Sequence, residues 1–163
     1  KFPNGWKPIT DLKDDKVKWM GLWRNFNGFM DGISVDNTLE TLSEHLDTLH
    51  YGKNKSKTRM VSKNSSASAN AFYDAMTADT KENGFDMIKV DSQSVNLQFN
   101  KGRENPVLGV HNNNRALEEN VKEKNLKLLN CIAMQNFNVF NQTYSNVIRS
   151  SVDYKIDLKK LHV

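Results

Sequence analysis

The sequence predicts an α/β fold in which parallel strands alternate with helices, and three observations predict it. Two segments with helical patterning, residues 70–83 and 107–124, separate short β-prone runs. The first of them stops at Asn83-Gly84 and leads at once into Phe85-Asp86-Met87-Ile88-Lys89-Val90, the helix, glycine, strand order of an α/β unit. The connections between β-prone runs are too long for hairpins, and parallel strands need such crossovers.

Taken along the chain, Val17-Lys18-Trp19-Met20-Gly21-Leu22-Trp23 reads as the first strand, running into a glycine-punctuated loop at Asn27-Gly28-Phe29-Met30-Asp31-Gly32. Leucines at 39, 42, 46 and 49 follow a 3-4-3 spacing that predicts a short amphipathic helix over residues 38–49. Residues 52–68 are polar, lysine-rich and serine-rich, and read as a surface excursion. Ala71, Ala75 and Ala78 beside Phe72 and Met76 give the helix over 70–83 its apolar side. After the strand that ends at Asp91, Pro106 opens the helix over 107–124, on which Glu118 precedes Lys122 by the four residues of a surface ion pair. Leu128-Leu129-Asn130-Cys131-Ile132-Ala133-Met134 reads as another strand, and Asn146-Val147-Ile148-Arg149 as the last.

The composition, 37% apolar and 26% charged over 163 residues, is that of a folded domain. Its net charge of +4 comes from lysines gathered at Lys53, Lys55, Lys57 and Lys63 and again at Lys155, Lys159 and Lys160. A nucleic-acid surface interleaves such charge with stacking aromatics, and only Tyr51 stands near the first group, so a solvated loop is expected and no nucleic-acid partner. The single cysteine, Cys131, leaves no internal disulfide and no four-cysteine zinc site. The 4 histidines, His45, His50, His111 and His162, lack ligand spacing, so no metal or other cofactor is expected. Nor is a membrane span, which needs about 18 consecutive apolar residues.

In parallel α/β folds, chemistry gathers at the carboxyl ends of strands. Two carboxylates are predicted there: Asp91, directly after Val90, and Asp153, just past Arg149. Lys89 and Asp91 lie two apart, so they share one face of a strand, and the cation favours the ionised carboxylate that a nucleophile needs. Lys-x-Asp is nonetheless a common tripeptide, and an arginine and an aspartate four apart commonly form a local ion pair.

The stretch Phe85-Asp86-Met87-Ile88-Lys89-Val90-Asp91-Ser92-Gln93 resembles the nucleophile strand of glycoside hydrolase family 36, in its raffinose synthase, seed imbibition protein and alkaline α-galactosidase group. Arg149-Ser150-Ser151-Val152-Asp153 is similar to the acid/base motif of that clan, and Phe2-Pro3-Asn4-Gly5-Trp6, Val17 to Trp23, Asn114-Arg115-Ala116-Leu117-Glu118 and Asn130-Cys131-Ile132-Ala133-Met134 follow in family order. The resemblance implies a (β/α)8 TIM barrel and hydrolysis of α-galactosides with retention, with Asp91 as nucleophile and Asp153 as acid/base. It implies that Lys89 and Arg149 hold sugar hydroxyls, that Trp23 lines the sugar subsite and that Cys131 lies near the substrate. A whole barrel needs roughly 200–250 residues, so residues 1–163 are expected to be one segment of it, completed by flanking sequence. The paired aspartates with which the family binds galactosyl hydroxyls have no counterpart here, Val152 stands where many raffinose synthases have an acid, and Arg24 where they have a histidine. The alternatives are a galactosyl transferase of raffinose-synthase type, and a non-catalytic barrel fragment or sugar-binding module.

Overall fold

The structure, a computed structural model of the chain, describes residues 3–37, 40–51, 57–103, 105–145, 147–149 and 153. A single helical turn, α1 (Lys7–Thr10), precedes β1 (Gly21–Asn25). Two 3-10 turns, Val35–Asn37 and Glu40–His45, lead to a pair of strands, β2 (Leu46–Tyr51) and β3 (Lys57–Ser62). Then come α2 (Ser66–Glu82), β4 (Met87–Asp91), α3 (Asn96–Phe99), α4 (Pro106–Glu123), β5 (Lys127–Asn130), α5 (Asn136–Val139) and β6 (Val147–Ile148).

The four strands β1, β4, β5 and β6 form one sheet in that order, every pair parallel, while β2 and β3 form a separate antiparallel pair. The long helices begin and end where local chemistry dictates. Ser65 caps α2 by accepting from the Ser68 amide at 3.1 Å, and Asn105 caps α4 by accepting from Leu108 at 3.2 Å, each satisfying a donor that the helix leaves free. The α2 helix ends at Asn83-Gly84, with Gly84 at φ 83°, as the sequence predicts.

Period-two burial along the strands fixes which face meets the helices. Ile88 and Val90 on β4 and Leu128 on β5 join Phe72, Tyr73 and Met76 of α2 and Ala116, Leu117 and Val121 of α4 in one core. Tyr73, fully enclosed, donates to the Phe26 carbonyl at 2.6 Å and so ties α2 to the end of β1. The opposite face carries Trp23, Met87, Lys89, Leu129 and Val147 and stays partly open to solvent, with Trp23 38% and Val147 49% exposed.

Three expectations are corrected. The helix over 38–49 is instead the 3-10 turn followed by β2: Leu42 and Leu46 still reach the core, but Thr48, Leu49 and His50 pair with β3, and cross-strand packing overrides the leucine spacing. The surface excursion over 52–68 contains β3, whose Val61 and Ser62 are buried. Glu118 is no surface partner of Lys122; it is 3% exposed and turned inward, where it accepts from the Tyr144 and Ser145 amides at 2.8 and 2.7 Å. Two strand boundaries also move. The Asp14 carboxylate holds the Lys16 and Val17 amides in a turn, so β1 starts only at Gly21, and Ile132 at φ 45° turns the chain away after β5.

Candidate functional site

The parallel register brings Asn25 of β1 level with Asp91 of β4, and the Cys131 and Arg149 amides donate to Val90 and Asn130 one strand over, each at 2.9 Å. Trp23, Asp91, Cys131 and Arg149 therefore emerge along one edge of the sheet, at the carboxyl ends of its strands. Lys89 sits two residues back on β4, on the face that carries Asp91.

The Asp91 carboxylate is held by donors from two segments. The Trp23 indole nitrogen donates to Oδ2 at 3.0 Å and the Ser92 amide donates to Oδ1 at 2.7 Å, while the Cys131 thiol lies beside the carboxylate and lowers it further. Burial pushes this carboxyl up, but the Trp23 and Ser92 donors, with the Cys131 thiol and the Lys89 ammonium nearby, outweigh it, so Asp91 lies below the usual carboxylate range and is ionised at neutral pH. For the same reasons Cys131, buried and facing the Asp91 anion, is pushed up and stays a thiol.

Backbone strain gathers at the same edge. Ser92 adopts φ 59° directly after Asp91, and Ile132 adopts φ 45° directly after Cys131; for a β-branched residue that conformation costs on the order of 1–3 kcal/mol. The two loops are joined, since the Ser94 amide donates to the Ile132 carbonyl at 2.6 Å.

A buried polar chain supports these loops from beneath. Gln93 donates to the Val90 carbonyl at 3.0 Å and to Asn130 Oδ1 at 2.6 Å; Asn130 donates to Ser145 Oγ at 2.7 Å; and Ser145 donates through both its amide and its hydroxyl to Glu118. Gln93, Asn130 and Glu118 are each 3% exposed or less, so the strand ends are fixed by bonds that water does not loosen. Sequence reading missed this set, because spacing gives no sign that a Glu on α4 meets a serine 27 residues later.

Asp153 is 79% exposed at its side chain and bonds to Arg149, the local ion pair that the four-residue spacing allows. Arg149 is pushed up by that bond, with a smaller contribution from the Asp91 charge, so its guanidinium is a fixed cation at the edge of the site. The burial expected of an acid/base residue is not present at Asp153. Ser150, Ser151 and Val152, the middle of the motif, lie outside the described residues.

No protein-family model and no curated protein matches the chain. Among the described residues, no group of three or more His, Cys, Asp or Glu is arranged to hold a metal ion, and no helix is long and apolar enough to cross a membrane. A cleft of about 580 Å³ lies elsewhere, on the helix side of the sheet beside α2. The chemistry at the strand ends is thus the ionised Asp91 carboxylate with its Trp23 and Ser92 donors, beside Lys89 and the Arg149–Asp153 pair.

Proposed function

We propose that the chain is a segment of the (β/α)8 barrel of a retaining glycoside hydrolase that acts on α-galactosides, with Asp91 as nucleophile and Asp153 as acid/base. Support comes first from Asp91. Its place at the end of β4, its donors and its depressed pKa are what a carboxylate needs to attack an anomeric carbon at neutral pH. Further support comes from the sheet. Parallel strands follow one another in chain order without reversal, as around a barrel, whereas a doubly wound sheet reverses its order. A barrel interior also accounts for the half-open face under Trp23, Met87, Leu129 and Val147, because parallel sheets are normally covered on both sides.

In this reading Asp91 forms a β-linked glycosyl-enzyme while Asp153 protonates the departing oxygen; water, deprotonated by Asp153, then releases the sugar with its original configuration. The two carboxyl groups must stand about 5–5.5 Å apart in the assembled barrel. Lys89 and Arg149 offer donors to sugar hydroxyls, and Arg149 must exchange its bond to Asp153 for one to substrate.

The test uses azide and an activated aryl α-galactoside with the intact protein. Asp153→Ala still forms the intermediate, and azide attacks it to give the α-galactosyl azide. Asp91→Ala forms no intermediate, and azide filling the cavity gives the β-azide. Swapped anomers, read by NMR, reverse the two roles; no turnover by the unmutated protein and no azide from either variant remove the proposal.

A further inference from the structure

We infer that the cleft beside α2 binds a small apolar carboxylate, an acid with a compact aromatic or branched body. The cleft measures about 580 Å³, within the roughly 300–1,000 Å³ of small-molecule sites. It opens on the side of the sheet that the helices cover, whereas Asp91 belongs to the strand ends, so it stands independently of the glycosidase reading.

Its walls are preformed. Phe72, Ala75 and Met76 of α2 make the floor, and the loop after β1 supplies Phe29 and Ile33 opposite. That loop is pinned to β3, because Ile33 and Met60 exchange both backbone hydrogen bonds at 2.8 Å. Gly32 makes the approach possible: at φ 114°, it lies so near β3 that a Cβ would meet the Met60 carbonyl oxygen at 2.7 Å. Phe29 is 64% exposed, apolar area that a ligand would cover.

Two arginines line the cleft and differ in state. Arg24 is bonded to Asp79 of α2 and is neutralised there. Arg59 of β3 donates to the Thr58 carbonyl at 2.9 Å and has no carboxylate partner among the described residues. A cation with no carboxylate partner among the described residues, at a mostly apolar cavity, selects the ligand chemistry. An inorganic anion would answer Arg59 and leave the apolar walls wet; a neutral hydrocarbon would do the reverse. A carboxylate on an apolar body satisfies both, because the planar guanidinium fork matches a carboxylate.

Titration of the full chain with 2-naphthoate and with its neutral isostere 2-naphthamide, followed by calorimetry and amide NMR shifts, tests this. Naphthoate should bind at least about tenfold more tightly, the low end for a hydrogen bond to a charged group. Arg59→Gln should erase that preference while leaving naphthamide binding unchanged, and Arg59→Lys should keep part of it. Ala75→Phe, which fills the floor, should remove both ligands, with circular dichroism verifying each fold. Equal binding of acid and amide, naphthoate binding untouched by Arg59→Gln, or no binding by the unmutated chain at millimolar ligand each overturn the inference.

Discussion

A tryptophan expected to line a sugar subsite also turns out to hold a carboxylate: Trp23 donates to Asp91 at 3.0 Å. Without its indole N–H, one of the groups that offset burial at Asp91 is lost, and the carboxyl must rise toward or above its ordinary value. For the proposed hydrolysis, Trp23→Phe, which keeps the ring and drops the donor, should therefore move the acid limb of the pH–rate profile to higher pH, with activity at neutral pH reduced less than at pH 4. The stability sign agrees. A carboxyl lowered on folding stabilises the folded state at pH above the unfolded value of about 3.9, and that contribution fades as pH falls through the folded value. An unmoved acid limb would mean that Asp91 does not set it. The sequence made Asp91 legible because the lysine two residues back and the strand before it are local signals. The Ser92 amide, the Cys131 thiol and the Glu118 chain were illegible, since they depend on where loops cross in space.

At the scale of elements, the helix–strand alternation was readable wherever one segment decides its own state. The α2 helix, its glycine stop and β4 all appear within a few residues of their predicted places. The β2 and β3 pair was not readable, because Leu42, Leu46 and Leu49 fit a helix as well as they fit what they do. What decides the matter is Thr58-Arg59-Met60-Val61, a β-prone run that offers β2 a partner, set in a lysine-rich surround that reads as loop. The pair is joined to the loop after β1 by the Ile33 and Met60 backbone bonds, for which Gly32 makes room, and this gives a direct test. Gly32→Ala adds both a strained φ and a contact with backbone at 2.7 Å, so it should cost upwards of about 1–3 kcal/mol in urea denaturation. Gly102→Ala, at φ 80° with nothing within 4 Å, carries the strain without the contact and should cost less. Equal losses would show that Ile33 and Met60 can separate freely.

For the whole molecule, the four-stranded sheet has β1 and β6 as its outer strands and one half-open face. Outer strands with free backbone groups and half-exposed apolar side chains favour association. Sedimentation velocity of the 163-residue chain should show weight-average mass rising with concentration over the micromolar range. A monomer at every concentration that also unfolds in one cooperative step would count against the barrel-segment reading.

The chain order of the sheet has a bearing on biosynthesis. Within the four-stranded sheet each strand pairs with the sheet strand made before it, although β2, β3 and α2 are made between β1 and β4. Synthesis at about 5–20 residues per second gives β1, α2 and β4 several seconds together before β5 arrives. Once β1 and β4 have paired, the nascent sheet can thus grow by adding β5 and then β6 to a waiting edge, although β1 itself waits for β4, whose first residue comes 62 positions after Asn25.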